Sequence, residues 1–535
     1  MSLSPSLPRQ GAVGPARVLR SLERLAPVGF GCFLFLLPQV FPLGIGRDYP
    51  NHLARVYIQS ELGGSAALTA NYTLEWFLVP DLALDIFALP LAGWLSPYAI
   101  GGLFNGLMLV LLFTAALALH RRAGGQGSVW PLLATAVLFN EALRWGFVNF
   151  LFACGLALWI VYLWLESAQW RPGRRLLVFS LAQLALFFAH LLGFMLCGYL
   201  ILTLELVRFW QAKGQAPGRR IGSFVFSMLQ FAIPLLLFAY VLFGQSGVGD
   251  DSTVYGGLAT KALAFLSPTS ALAQPFSILV LLAILLLFYG ALRHRLAVID
   301  RAFLPLLVVM AVLVVAMPSM VLGIWGLDFR YPFVALLLAI AAVRPLPQAR
   351  GASALRGAVL AIATVSLAGA AVQFADTHRK QEELRQAVAL AEPGGALLVA
   401  GDYDPDCPRC YPEWIDQLHA ASLAAVERQM FVPLLFTATS FVAAAPERHR
   451  LDVPYGLPVT RAALLEGRFR ELPQRGTGHD PRHPYWHSWG ENFDYVIWMR
   501  ANASSLDDVP GLQRLSAGEI FVLYRVVRSS PPVVP

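Results

Sequence analysis

Apolar residues fill long stretches of the first 374 positions, each ended by a short polar or basic connection. A helix that crosses a bilayer needs about 20 mostly apolar residues. Such stretches lie at 26–45, 100–119, 148–165, 176–189, 191–207, 223–243, 276–292, 303–321, 331–343 and 357–374, with a shorter one at 129–139. The pattern predicts about eleven spans. From about position 376 it changes. Residues 376–392 read as a polar-faced helix leaving the membrane, and 414–430 as a second helix. Short β-rich runs at 396–401, 495–499 and 520–526 sit beside turn residues and read as strands. This tail has the size and alternation of one small α/β domain.

Charge orients the pattern. Arg9, Arg17, Arg20 and Arg24 precede the first span. Later basic groups are Arg121/Arg122, Arg171/Arg174/Arg175, Arg208/Lys213/Arg219/Arg220, Arg293/Arg295/Arg301 and Arg344/Arg350/Arg356. They mark every second connection, whereas the intervening ones hold only Arg47, Arg55, Arg144, Lys261 and Arg330. Lys and Arg resist translocation, so the basic connections are assigned to the cytoplasm. The expected organisation is a cytoplasmic N-terminus at 1–25, a transmembrane module at 26–374 with a first outer loop at 47–99, and an extracytoplasmic, periplasmic domain at 375–535. The fold class is an α-helical polytopic membrane protein with about 11 transmembrane helices and a C-terminal extracytoplasmic α/β domain. The first apolar run reads as a retained anchor, being long for a signal peptide and lacking a clear cleavage site. The stretch 82–96 contains Asp85 and Pro90 and reads as an interfacial or re-entrant helix.

Composition agrees. Of 535 residues, 57% are hydrophobic and 14% charged, which excludes a disordered chain and argues against an ordinary soluble enzyme. The net charge of +7 is no nucleic-acid footprint, because its residues mark membrane loops rather than one polar face.

Polar groups near a membrane are costly and therefore informative. Arg47-Asp48-Tyr49-Pro50-Asn51-His52-Leu53-Ala54-Arg55 follows the first span, and Pro50 suits the first turn of a helix. An acid beside Asn51, His52 and Arg55 suits a general base next to a phosphate site. The same segment also reads as a capping Asp with bases reaching toward the interface. The outer connections add Glu141 and Arg144, His190, Asp250, Asp251 and Lys261, and Asp328 and Arg330. Glu141/Arg144 and Asp328/Arg330 also read as local ion pairs, and His190 as a hydrogen-bonded core histidine.

An acid directly after the first span, then a long first loop with an interfacial helix, resembles the GT-C superfamily. These polytopic glycosyltransferases use polyprenyl-phosphate sugars; protein mannosyltransferases and the lipid A aminoarabinose transferase are among them. In architecture the resemblance covers the whole chain. In motif it rests on Asp48 as the first-loop acid, Glu141 as a second acid, Arg330-Tyr331-Pro332 opening a late span, and the ending with FDYVIW and FVLYRV. The family often has an acidic pair where this chain has Asp48 and then Tyr49. The resemblance implies transfer of a sugar from a polyprenyl-phosphate donor to an acceptor hydroxyl, with Asp48 as general base and Glu141 as second catalytic acid. The oxygen attacks the anomeric carbon with inversion, and lipid phosphate leaves. Arg330, Lys261, Arg55 and His52 are candidates to meet the phosphate charge, with His190 and Asn51 as further substrate-binding residues. Glu141 and Asp328 are candidates to orient the acceptor, hold a divalent metal ion or position an arginine. No other cofactor is implied. The implied partners are the lipid-linked donor, a glycan, lipid or protein acceptor, and the bilayer of a bacterial inner membrane. The competing readings are a transporter or flippase of lipid-linked glycans, whose frequent inverted repeats are not evident here, and a non-catalytic assembly protein with a periplasmic binding domain.

Cys32, Cys154 and Cys197 lie in or beside apolar runs and read as packing residues. Cys407-Pro408-Arg409-Cys410 falls in the outer domain, an oxidising setting, and reads first as a structural disulfide, with a redox motif as the alternative.

Overall fold

The computed structural model describes residues 15–75, 78–244, 253–273, 275–321, 324–403, 413–437, 441–453, 456–468, 470, 484–500 and 504–528. Cys407, Cys410, Asp250 and Asp251 lie outside the described residues.

Among the described residues, seven helices are long and apolar enough to cross a membrane: Pro97–Arg122, Val148–Gln169, Pro172–Ala189, Leu191–Gln211, Pro217–Phe243, Phe276–Arg293 and Ala352–Val388. Leu25–Val40, Arg301–Ala316 and Pro332–Ala342 are shorter apolar helices. Leu236, Phe243 and Val372 are 70%, 89% and 69% exposed on the outside of this bundle. Such a surface would drive a soluble protein to aggregate, whereas lipid tails accept it. The chain is a multi-pass membrane protein.

The apolar stretch at 129–139 is less regular than a span. It forms a 3-10 segment, Trp130–Leu133, and one α-turn, Ala134–Val137, four residues each. Together they rise about 14 Å, against about 30 Å of hydrocarbon. The stretch is buried beside Pro332–Ala342, with Trp130 Nε1 donating to the Ile340 carbonyl at 3.1 Å. At its other end the Phe139 carbonyl accepts from the Ala271 amide at 3.0 Å. Short or irregular backbone is tolerated at such depth where protein, not lipid, surrounds it.

Close packing fixes the entry to the first loop. Gly102 and Gly106 form a GxxxG pair on the helix Pro97–Arg122, facing the end of the first helix. A Cβ on Gly106 would stand 2.5 Å from the Phe35 carbonyl oxygen, and one on Gly102 3.0 Å from that of Pro38. Backbones approach this closely only over small residues. Gln39 Nε2 then donates to the Gly102 carbonyl at 2.7 Å. The helix Tyr49–Glu61 follows, with Pro50 in its first turn. The stretch 82–96 contains a short helix, Ala83–Ala88, and ends with Trp94 87% exposed.

The helix Ala352–Val388 runs for 37 residues, about 55 Å, out of the bundle and into the C-terminal part. There β1 (Leu397–Gly401), β2 (Tyr495–Met499), β3 (Leu512–Ala517) and β4 (Phe521–Val526) form one sheet in the order β3-β4-β2-β1. The β1–β2 pair is parallel and the other two are antiparallel. β1 and β2 are buried along their whole length, as continuous apolar runs require, and β3 is the half-exposed edge. The expected helix at 414–430 is a 3-10 helix, Glu413–Ser422, continuing as Leu423–Arg428. First loop and C-terminal part are tied together. Tyr72–Leu74 pairs antiparallel with Val442–Ala444, the Tyr72 hydroxyl donates to the Met430 carbonyl at 3.0 Å, and Gln381 Nε2 donates to the Ile45 carbonyl at 3.1 Å.

Candidate active site

The loop between the first helix and Tyr49–Glu61 is held in an unusual backbone path. Arg47 has φ 46° and Gly146, in the facing turn, has φ 79°. The Asp48 amide donates to the Trp145 carbonyl at 3.1 Å and the Arg47 amide to the Asp416 carbonyl at 2.6 Å. The Arg47 guanidinium lies 3.2 Å above the Trp145 ring. A Cβ on Gly146 would stand 2.6 Å from the Tyr49 nitrogen and 3.0 Å from that of Asp48. Gly146→Ala is therefore expected to cost about 1–3 kcal/mol of stability and to displace Asp48, seen as a lower unfolding temperature in detergent.

Asp48 occupies the N-cap position of Tyr49–Glu61, yet its side chain makes no capping hydrogen bond. Its carboxylate is left for other partners. His419 Nε2, carried by the C-terminal part, lies 3.5 Å from Asp48 Oδ1, with the two side chains 7% and 15% exposed. Burial raises the Asp48 pKa to about 7, against the opposing pull of Arg47 and then Arg330, while Asp81 reinforces the rise. Asp81 is raised to about 6, again first by burial. His190 Nδ1 accepts from the Leu192 amide at 3.0 Å, so its Nε2 carries the proton; that atom lies 3.9 Å from Asp81 Oδ1. Burial lowers the pKa values of His52, His190 and His419, the last to about 3, so all three imidazoles are neutral at neutral pH. His52 is within electrostatic reach of both His190 and His419. His52 and His419 flank Phe436, with ring centroids at 6.2 and 5.0 Å.

Arg330 completes the group. It is 6% exposed, its Nη2 donates to the Trp325 carbonyl at 3.1 Å, and its Cζ stands 4.0 Å above the Phe147 ring. Arg330 Nε has no hydrogen-bond partner among the described residues, nor have His52 Nδ1 and His419 Nδ1. Asp48 and Asp81 both act on Arg330 electrostatically. Two carboxyls of raised pKa, a buried guanidinium and three neutral imidazoles thus converge at one end of the bundle. Perturbed groups gathered in this way mark a candidate functional site.

The other sequence candidates are engaged elsewhere. Arg55 pairs with Asp85 at 2.5 Å, both almost fully buried. Asn51 donates to the Leu434 carbonyl at 3.3 Å and accepts from the Ser422 hydroxyl at 2.7 Å, which docks the C-terminal part. Glu141 accepts from Trp145 Nε1 at 2.8 Å and Ser270 Oγ at 2.5 Å and pairs with Arg144 at 3.4 Å; Arg144 also pairs with Asp416 at 2.9 Å. Asp328 accepts from the Ser319 hydroxyl at 2.6 Å. The Lys261 amine donates to the Met317 carbonyl. No group of three or more His, Cys, Asp or Glu among the described residues is arranged to hold a metal ion. Sequence reasoning missed Asp81 and His419. Asp81 had a signal, being an acid after Pro80 at the head of an apolar stretch; His419 had none nearby in sequence.

No protein-family model matches the chain, and no curated protein matches it. Among solved structures it is similar to ArnT from Cupriavidus metallidurans bound to undecaprenyl phosphate. The identity is 10% and the TM-score 0.50, over 96% of this chain and 99% of that one. The apo form of the same protein matches at 12% identity and TM-score 0.49, over 96% and 98%. At this identity the likeness to the first structure is one of fold, and along almost its whole length the chain has the fold of ArnT.

Proposed function

We propose that the protein is a membrane glycosyltransferase that moves a sugar from a polyprenyl-phosphate donor to an acceptor hydroxyl. The observation that carries this reading is the convergence of Asp48, Asp81 and Arg330, in a fold shared with a protein whose structure holds undecaprenyl phosphate. In this reading eleven segments cross the bacterial inner membrane, with the basic connections inside and residues 375–535 outside. Asp48, as carboxylate, takes the proton of the acceptor hydroxyl. The oxygen attacks the anomeric carbon from the face opposite the phosphate, and the carbon–oxygen bond to the phosphate breaks. Arg330, fixed in a water-poor setting, meets the charge that develops on the leaving phosphate. His190 and Asp81 form the polar wall beside it, and neutral His52 offers its unpaired ring nitrogen to donor or acceptor.

Release of free polyprenyl phosphate from a polyprenyl-phosphate sugar tests the proposal, with the purified chain in liposomes. Translocation of intact donor without release would favour the transporter reading.

The proposal carries a pH signature. A base must be ionised, and the raised Asp48 pKa means that about half of it is protonated at pH 7. Transfer is expected to rise with pH through an acid limb centred near 7, shared with Asp81 because the two carboxyls interact. A profile flat from about pH 5 to 8 would contradict a base whose pKa is raised by burial.

A further inference from the structure

A cavity lies at the end of the bundle opposite the carboxyl cluster, and no step of the proposed reaction uses it. It encloses about 630 Å³ between residues 124–130, 344–347 and the first turns of the helix Ala352–Val388. That it lies at the opposite end follows from Pro332–Ala342: Arg330 and Tyr331 precede this helix at the carboxyl cluster, and Arg344 follows its other end.

One wall is the glycine-rich loop Gly124-Gly125-Gln126-Gly127-Ser128, with Gly124 at φ 83° and Gly127 at φ 72°. The Gly124 and Gly125 amides cap the carbonyls of Arg121 and His120. Those of Gln126 and Gly127 donate to no backbone carbonyl of a described residue. The facing wall carries Arg344 on the short strand Val343–Pro345, which pairs with Ala297–Ile299 so that Arg344 stands opposite Val298. Its Nη1 would lie 3.0 Å from a Cβ on Gly124, so the guanidinium rests against the glycine loop where any larger residue would displace it. No described carboxylate pairs with Arg344. Arg356 lines the same cavity, Leu355 and Val359 form its buried apolar side, and Leu346 lies exposed at its edge. The connections at this end add Arg121, Arg122, Arg295, Arg301 and Arg350 against Glu166 and Asp300. Of these, Arg122 and Glu166 neutralise each other at 2.8 Å.

An arginine lying against a glycine loop, amides without a backbone acceptor and an apolar side, set where helices end, describe a receptor for an anionic group attached to something apolar. We infer that this cavity binds the phosphate headgroup of an anionic membrane phospholipid. The phosphate lies between Arg344 and the glycine loop, and the glycerol and upper acyl carbons lie against Leu355 and Val359. A free phosphate would leave the apolar side uncovered, whereas a headgroup covers it. Basic surfaces at this depth attract anionic lipids in any case; the cavity adds a defined place for one.

Native mass spectrometry tests the inference with the full chain, extracted from vesicles of phosphatidylcholine doped with phosphatidylglycerol. Wild type is expected to retain phosphatidylglycerol through delipidation. Arg344→Gln is expected to reduce retention about tenfold, as for loss of one charge-assisted contact, and Arg344→Lys to reduce it less. Equal thermal unfolding of the three proteins excludes misfolding. Equal retention by wild type and Arg344→Gln would overturn the inference. So would retention that inorganic phosphate abolishes in millimolar amounts, which would identify a free-anion site instead.

Discussion

Replacing Asp48 by Asn is expected to lower sugar transfer by about 10²–10⁴-fold, the range over which general-base catalysis contributes. Asn keeps the size of the side chain and its acceptor oxygen but cannot take a proton. Asp48 makes no capping bond to its helix, and its carboxyl titrates far above the ordinary carboxylate range because burial disfavours the charge. The loop is held instead by backbone bonds to Trp145 and Asp416, which the substitution leaves in place. Unfolding temperature should therefore stay within a few degrees of wild type or rise, since a buried charge has been removed. The acid limb of the pH profile should vanish from whatever activity survives. Full transfer by the variant in liposomes would refute the assignment of the base. A variant that fails to fold would instead mark Asp48 as structural.

Much of this arrangement could be read from the chain. The seven helices long and apolar enough to cross a membrane all fall on apolar runs of the sequence, and the alternation of basic connections predicts which ends of the helices lie together. Three of those helix ends do meet: Arg122 pairs with Glu166, and Trp164 and Arg208 share Glu205. Asp48 and Arg330 are legible as candidates as well, because each is a charge at the edge of a span. Partnerships are not. Asn51, Glu141, Asp328 and Lys261 look equivalent to them in sequence, but each is engaged by a partner, Leu434, Ser270, Ser319 or Met317, that its own segment does not reveal. Arg55 is consumed by Asp85, only 30 positions away, yet a pair buried to 2% and 3% is a packing outcome rather than a pattern. His419 enters the site because the C-terminal part folds back over the bundle, a closure over several hundred residues with no local signature. Docking of the C-terminal part onto the first loop thus accounts both for the engagement of Asn51 and for the arrival of His419.

Arg330 is where charge stabilisation and base strength meet, so its removal is expected to have two linked effects. Its positive charge lowers the Asp48 pKa and is in turn acted on by Asp48 and Asp81. Burial pulls its own pKa down to about 10, which still leaves it cationic at neutral pH. Arg330→Gln should lower transfer by about 10²–10³-fold, the usual cost of removing a group that meets developing charge. It should also move the acid limb to higher pH, because Asp48 loses a neighbour that favours its ionised form. Arg330→Lys should leave the limb nearly where it is. It should recover only part of the rate, because lysine keeps the charge but loses the planar stack over Phe147 and the fixed bond to the Trp325 carbonyl. Rate and pH dependence measured on both variants separate the two roles. A loss of rate in Arg330→Gln with an unmoved acid limb would place Arg330 on the phosphate alone. An unmoved rate would remove it from the site. A shift shared by Gln and Lys would mean that the guanidinium acts through packing of Phe147 rather than through its charge.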